Sequence, residues 1–532
     1  MSTSTAASTP VAAATAPRRI PSSLAAVAGI VAAASALAVG ELFAAFVTGA
    51  PSPVAAVGAA LIDFAPPGSK DIIVGLFGTN DKPALLVLVA VVVLAVGAAL
   101  GLVARTRPAV AMAGIVVLVG VGFLASLRLA EAQLALVLLS AALQAIVGIQ
   151  VLSVLLAAAP AVDAAGGVAP GTGAAGTRRG FLLRAGGLGA LAVMGGALGR
   201  SMVEGRATQV ATAGAEIPQP VDAAPAPAPD SSFDIAGLTP LVVPNSSFYR
   251  IDTALVTPSV DVNGWTLRVH GMVRNEVTLT FAQLVELPLH EQYVTIACVS
   301  NEVGGQLVGN AKWTGVRLTD VLDMAGVLPG ATQIVPRSID DWAAGFPTEW
   351  VTAPERPRDA LIAVKMNDEP LPAAHGFPAR LIVPGLYGYV SATKWLSEIE
   401  LTTLEAFDAY WVPRGWAKEA PILTQSRIDV PARNARVAAG PVAVAGVAWA
   451  PDRGISRVEV QVDDGEWQPA TVATPIGPQT WVQWKLAWQA TAGDHRLSVR
   501  ATDGLGEVQT DMVTRPDPDG ARGYHQIAVS VA

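Results

Sequence analysis

Four apolar stretches in the first 160 residues, at roughly 24–48, 84–104, 109–127 and 134–158, constrain this chain more than any other feature. A bilayer core takes about 20 apolar residues in a helix, and each stretch meets or approaches that length. A fifth runs over about 185–199, behind the arginines of "TRRGFLLRAGGLGALAVMGGALG". The expectation is an α-helical transmembrane bundle of five helices. Charge divides the chain at the same place. Through Arg206 there are 12 Lys/Arg against 7 Asp/Glu, and beyond it 23 against 36. The acidic remainder, about 320 residues, is long enough for two domains with real cores. Its sign argues against nucleic acid, which needs a basic footprint.

Arg18 and Arg19 precede the first stretch, Arg105 and Arg107 separate the second from the third, and Arg178, Arg179 and Arg184 follow the fourth. Loops rich in Lys and Arg stay in the cytoplasm. The segment around Asp63–Lys82 and the turn at Arg128–Glu131 then face outward, with Arg128 the poorest fit. Five spans starting inside leave the chain beyond about residue 205 on the extracytoplasmic side of a bacterial plasma membrane. Thr177-Arg178-Arg179-Gly180-Phe181-Leu182 resembles a twin-arginine export signal, with Leu183 where a lysine is usual. The alternative is an ordinary cytoplasmic charge cluster.

The histidines are His270, His290, His375, His495 and His525, all outside the apolar half. This excludes bis-histidine or Met/His haem ligation between the helices, and a single cysteine excludes an iron–sulfur cluster. Glu41 is the main intramembrane charge, too little for an ion pathway. The bundle is expected to anchor or dock, and a transporter reading is weak.

The expected organisation is a cytoplasmic tail (1–20), four transmembrane helices (21–158), a cytoplasmic loop with the twin arginines (159–184) and a fifth helix (185–203). A Pro/Ala linker (204–232) leads to an α+β domain (233–418) and an immunoglobulin-like β-sandwich (419–532). "WTLRVHG" (265–271) and "EVTLTFAQL" (276–284) alternate as strands do. "LTDVLDMAG" (318–326) reads as a helix stopped by Gly326. From about 420, Val458, Val460 and Val462 alternate before a turn at Asp464-Gly465, and "RLSVRATDG" (496–504) alternates likewise.

Cys298 is the only cysteine. A free cysteine is most often a small buried hydrophobe, and "YVTIAC" ends an apolar strand. The next residues, "VSNEVGG", are polar and glycine-rich, so the thiol sits at a strand-to-loop junction. Exported proteins usually pair their cysteines, which points to chemistry, as nucleophile or soft-metal ligand.

"ACVSNEVGG", "WTGVRL" (313–318) and "HGFPARLIVPGLYGYVSATKWL" (375–396) resemble the sulfite oxidase family of molybdopterin enzymes, over roughly 240–532. The resemblance implies a molybdenum–molybdopterin cofactor with Cys298 as metal ligand. His375 and Arg380 would contact the pterin and its phosphate, and Thr393 and Lys394 would line the cofactor. "PNSSFYR" (244–250) resembles the first cofactor loop, with Asn245, Tyr249 and Arg250 as contacts. Tyr410 falls near the family's active-site tyrosine. The chemistry of these residues agrees: a buried phosphate needs Arg or Lys and hydrogen-bond donors. A bulky cofactor loaded before export also suits a route that carries folded proteins.

Two departures bear on substrate. Animal sulfite oxidases read Cys-Ala-Gly-Asn-Arg where this chain reads Cys298-Val299-Ser300-Asn301-Glu302, and a second substrate arginine is Pro244 here. Glutamate beside an anion site adds repulsion. The resemblance therefore implies oxygen-atom transfer on a small sulfur- or nitrogen-containing substrate. One rival is a methionine sulfoxide-type reductase of the same family; another is a non-catalytic membrane-anchored binding protein. Electrons would pass to a separate partner, a quinone-linked membrane protein or a cytochrome. The family's β-sandwich pairing implies a homodimer.

Overall fold

The computed structural model describes residues 20–47, 49–65, 81–129, 132–160, 177–212 and 216–532. Arg18, Arg19, Glu131 and most of the expected loops at 63–82 and 159–184 lie outside them. The chain divides into two compact units, Met1–Glu204 and Gly205–Ala532.

The first unit is helical: α1 (Ser22–Phe46), α2 (Pro53–Asp63), α3 (Asp81–Ala104), α4 (Pro108–Ser126), α5 (Leu134–Ala158) and α6 (Arg178–Thr212). All but α2 are long and apolar enough to cross a membrane, with candidate spans of 19 to 26 residues. Small residues let α1 and α3 approach. A Cβ on Gly29 would lie 1.9 Å from Gly97 O, and one on Gly101 would lie 2.0 Å from Ala25 O. Gly97 and Gly101, four residues apart, form the small-residue face that lets apolar helices pack.

Helix α2 was not expected from the sequence. Its eleven residues rise about 16 Å, too short for a span. It is built by its start. Ser52 Oγ accepts from Ala55 N at 3.1 Å, and Pro53 opens the first turn. Glu41 of α1 accepts from Ser52 Oγ at 2.7 Å and from Val54 N at 3.5 Å. Helix α6 begins at the twin arginines, with Thr177 Oγ1 accepting from Gly180 N at 3.1 Å. Arg128 pairs with Asp63 at 3.4 Å, which offsets its charge.

The second unit opens with two sheets. One is ordered β2 (Val277–Thr280), β1 (Thr266–Gly271), β10 (Leu396–Thr402), β5 (Gln333–Ser338), β6 (Phe346–Pro347), with β1 and β10 parallel. The other is antiparallel: β3 (Leu289–Ala297), β4 (Val308–Arg317), β7 (Leu361–Met366), β8 (Glu369–Pro370), with β9 (Arg380–Ile382) also on β7. The sequence predicts strand over 276–284, but the strand stops at Thr280. Thr280 Oγ1 accepts from Gln283 N, and Gln283 Oε1 accepts from Thr280 N. This capping box starts α7 (Phe281–Glu286), which buries Phe281, Leu284 and Val285. The predicted helix at 318–326 is α8 (Leu318–Ala325), ending at Gly326. The Pro/Ala segment lies along β3, with Val221 N donating to Leu289 O and Glu291 N to Asp222 O.

The C-terminal residues form two facing sheets. One runs β11 (Gln425–Val430), β13 (Gly440–Trp449), β17 (Val482–Ala490), β16 (Thr471–Val472). The other runs β12 (Ala435–Val437), β19 (His525–Val531), β18 (Gly493–Asp503), β14 (Ile455–Val462), β15 (Gln468–Pro469). Val444, Val458, Val460, Trp484, Leu497 and Ile527 fill the space between them. Val447, Trp449 and Trp481 belong instead to the core of the preceding domain. Trp481 Nε1 donates to Leu241 O, and Trp481 N to Thr295 Oγ1, both at 2.8 Å. Each such tryptophan contributes roughly 4 kcal/mol by buried apolar area.

Candidate cofactor site

Strand β3 delivers the cysteine. Its last residue, Ala297, pairs with Val308 of β4, and Cys298 opens the intervening loop. Cys298 N donates to Leu307 O, Asn301 N to Cys298 O, and Leu307 N to Asn301 Oδ1 at 2.7 Å. The backbone of the loop is thus closed on itself, and the thiol residue is only 8% exposed.

The loop before β9 delivers the basic residues. Gly376 sits at φ 116°, and a Cβ there would meet Lys394 Cα at 3.0 Å and Arg380 Cβ at 3.2 Å. Only glycine allows this approach. It gathers His375, Arg380, Thr393 and Lys394, and Leu381 N donating to Thr393 O fixes the register. All four are buried. Phe248 lies edge-on to His375 (5.8 Å) and to Trp313 (6.0 Å), and the Arg380 guanidinium lies over Trp313 at 5.3 Å.

Burial dominates the electrostatics. Desolvation first, then Arg380, lowers His375 to about 4. The imidazole is therefore neutral at pH 7, donating Nε2–H to Asn245 O at 3.0 Å. Burial lowers Arg380 to about 10 and, despite the Asp252 charge, Lys394 to about 8. Lys394 Nζ donates to Asp252 Oδ2 at 2.6 Å and to Ala374 O at 3.1 Å. Arg250 Nε donates to the same Asp252 oxygen at 2.9 Å. Burial raises the Tyr249 phenol strongly, with the Cys298 thiol adding to the rise and Arg380 opposing it. Tyr387 is pushed up to about 12 by burial, again with a contribution from Cys298.

Of the nine residues singled out in the sequence, His375, Arg380, Thr393, Lys394 and Arg250 gather around Asp252 and the Gly376 turn. Tyr249 is buried where the Cys298 and Arg380 charges both act on its phenol. The Asn245 side chain turns elsewhere: its Nδ2 donates to Met366 O and Glu369 Oε2, and its Oδ1 accepts from Asn367. Only its carbonyl meets the cluster. Tyr410 packs on Trp411 and carries the Arg414 guanidinium at 3.8 Å. The Cys298 charge adds to the rise at both Tyr249 and Tyr387. Asp252, Trp313 and Tyr387 were missed. Tyr387 stood inside the quoted motif, and Asp252 two residues beyond Arg250.

The donor set fits an anionic group. Arg250, Arg380 and Lys394 share this space with two carboxylates, Asp252 and Asp340, so the pocket still carries surplus positive charge. Arg380 Nε and Thr393 Oγ1 are buried without a hydrogen-bond partner. Buried polar atoms are rarely left so, and both are donors of the kind a phosphate accepts.

The fold and this pocket define a cofactor-binding α+β domain, and comparison with known proteins agrees. Residues 254–411 match the model for an oxidoreductase molybdopterin binding domain, and 425–499 match a bacterial Ig domain. An uncharacterized oxidoreductase, YuiH of Bacillus subtilis, is 32% identical over 171 residues, covering 32% of this chain and 81% of that protein. Mitochondrial sulfite oxidase of Mus musculus is 30% identical over 322 residues, covering 51% of this chain and 58% of the relative. The chain thus spans less than two thirds of that enzyme. Among solved structures, the sulfane dehydrogenase SoxCD from Paracoccus pantotrophus has a TM-score of 0.48 and 23% identity, covering 57% of this chain and 85% of that one. The chain belongs to the sulfite oxidase-type family of molybdopterin oxidoreductases.

Proposed function

We propose that this protein is anchored by five membrane-spanning helices and carries out oxygen-atom transfer on a small sulfur- or nitrogen-containing substrate outside the cytoplasmic membrane. The carrying observation is the buried basic pocket of Arg380, Lys394 and His375, with its unpartnered Arg380 Nε and Thr393 Oγ1. A molybdenum–molybdopterin cofactor supplies two-electron redox chemistry and oxygen-atom transfer when bound. Arg380, Lys394 and Thr393 would hold its phosphate, and neutral His375 would donate a hydrogen bond without adding charge. Cys298 would bind the metal as thiolate, held by the Asn301 bridge. Arginine-rich loops on one side of the helices support the orientation. A separate electron-transfer partner, quinone-linked or a cytochrome, would complete turnover, and pairing through the C-terminal domain would give a homodimer.

A second reading, reduction of a neutral S-oxide, is favoured by Glu302. This carboxylate lines a 770 Å³ cleft together with Asp429, Asp511, Arg433 and His525. Standing four residues beyond Cys298, the Glu302 carboxylate would repel sulfite and tolerate a neutral sulfoxide.

Molybdenum content by metal mass spectrometry, for wild type and Cys298→Ser made in a molybdenum-replete host, tests the enzyme reading. Near-stoichiometric metal in wild type and its loss in the variant are expected. Folded wild type without molybdenum would leave a non-catalytic binding protein. Turnover of sulfite against a panel of sulfoxides then separates the two substrates.

A further inference from the structure

The C-terminal β-domain reaches into the cysteine loop. Arg427 of β11 is 1% exposed, and its guanidinium has three separate acceptors. Nε donates to Asp429 Oδ1 at 2.7 Å, Nη1 to Gly305 O at 2.7 Å, and Nη2 to Thr239 Oγ1 at 2.9 Å. Asp429 Oδ2 in turn accepts from Thr239 N at 3.2 Å. Gly305 closes the Cys298 loop, its N donating to Glu302 O. One planar fork thus ties the far end of that loop to the β-domain and to the segment entering the cofactor domain.

A second contact meets the same loop. His525 of β19 lies against Gly304, where a Cβ would fall 2.2 Å from its ring. The His525 Nδ1 accepts from Ile428 N at 3.0 Å. Burial, then Arg427, lowers this histidine to about 4, so it stays neutral and keeps that acceptor. At the near end of the loop, Thr295 stands three residues before Cys298. Its N donates to Gln479 O, and its Oγ1 accepts from Trp481 N. The β-domain therefore grips the chain on both sides of the cysteine.

A buried arginine–carboxylate pair is costly to desolvate and often contributes little net stability. Placing one against a loop carbonyl instead fixes geometry, because the guanidinium donors are rigidly arranged. From this we infer that Arg427 is a positioning residue: it clamps the Gly304–Gly305 end of the loop so that Cys298 is presented in one fixed orientation to the metal. This rests on the reading of Cys298 as the molybdenum ligand. The β-domain is then a working part of the metal site as well as a candidate pairing surface.

The test compares full-length wild type with Arg427→Lys and with the double variant Arg427→Met/Asp429→Asn, which removes both buried charges together. Two readings are taken: the rate of Cys298 alkylation by iodoacetamide in cofactor-free protein, and the Mo(V) electron paramagnetic resonance spectrum of loaded protein. The clamp predicts alkylation at least tenfold faster and shifted g-values in the double variant. Arg427→Lys should fall between it and wild type, since lysine keeps the charge and loses the fork. Wild-type alkylation rates and g-values in folded variants would overturn the clamp. If the double variant does not fold, Arg427→Lys decides by the same two readings. Wild type lacking molybdenum would remove the ligand reading alone, and alkylation would still report on the loop.

Discussion

Lys394 Nζ stands 2.6 Å from Asp252 Oδ2, with the two side chains 8% and 3% exposed. Lys394 is nonetheless lowered to about 8, because burial, with the Arg380 and Arg250 charges, outweighs the Asp252 carboxylate. The folded, cofactor-free protein then binds fewer protons than the unfolded chain between pH 8 and 10.5. Stability should rise with pH across that window. Lys394→Met should remove this rise, read as the difference between the variant and wild-type denaturation midpoints at pH 7.5 and 10.

Arg380→Met should keep the packing against Trp313 while deleting the guanidinium. Charge-assisted hydrogen bonds contribute about 1.5–3 kcal/mol, so cofactor affinity should fall roughly 10- to 150-fold. Molybdenum per folded protein, after dialysis, is the measurement. Arg380→Lys should recover part of the loss.

Asp359 is raised to about 6, by burial first and by the Asp452 charge second. Gln479 Nε2 donates to both carboxylates, at 2.8 and 2.6 Å. The folded state here binds more protons than the unfolded one between about pH 4 and 6, so this group lowers stability as pH rises through that range. Asp359→Asn, which can still accept from Gln479, should flatten the dependence. Urea midpoints at pH 4.5 and 7 would show it.

Glu302→Arg should reverse the side-chain charge four residues beyond Cys298. If substrate enters there, KM for sulfite should drop about tenfold or more while KM for a neutral sulfoxide changes little. Equal effects on both substrates would place the binding route elsewhere.

In the helical unit, Ser52→Ala should cost about 1 kcal/mol through loss of the α2 cap. It also removes the hydroxyl that donates to buried Glu41. A lower thermal midpoint of the detergent-solubilised protein would report this.

Much of this architecture was legible because its signals are local. Runs of apolar residues announce the long helices, and alternation at Val458, Val460 and Val462 announces a β-domain. The motif at 375–396 could be read because Gly376 and the basic residues around it are close in sequence. What escaped depends on longer range or on competition. Helix α2 is too short for a bilayer signal, and its start is completed by Glu41 on another helix. Thr280 ended a strand because its side chain capped a helix, a choice that alternation cannot see. Asp252 looks like a loop charge until Lys394, 142 residues later, is brought against it. Arg427 likewise meets Gly305 across 122 residues.

The tryptophans that cross from the β-domain into the neighbouring core have a thermodynamic corollary. Val447, Trp449 and Trp481 lie beyond the end of the molybdopterin-domain match at residue 411, yet they pack with that domain's side chains. Two modules that are separable as sequence should therefore melt as one cooperative unit. Cutting the chain near residue 420 would not liberate an independent catalytic fragment; it would strip away part of that fragment's own interior.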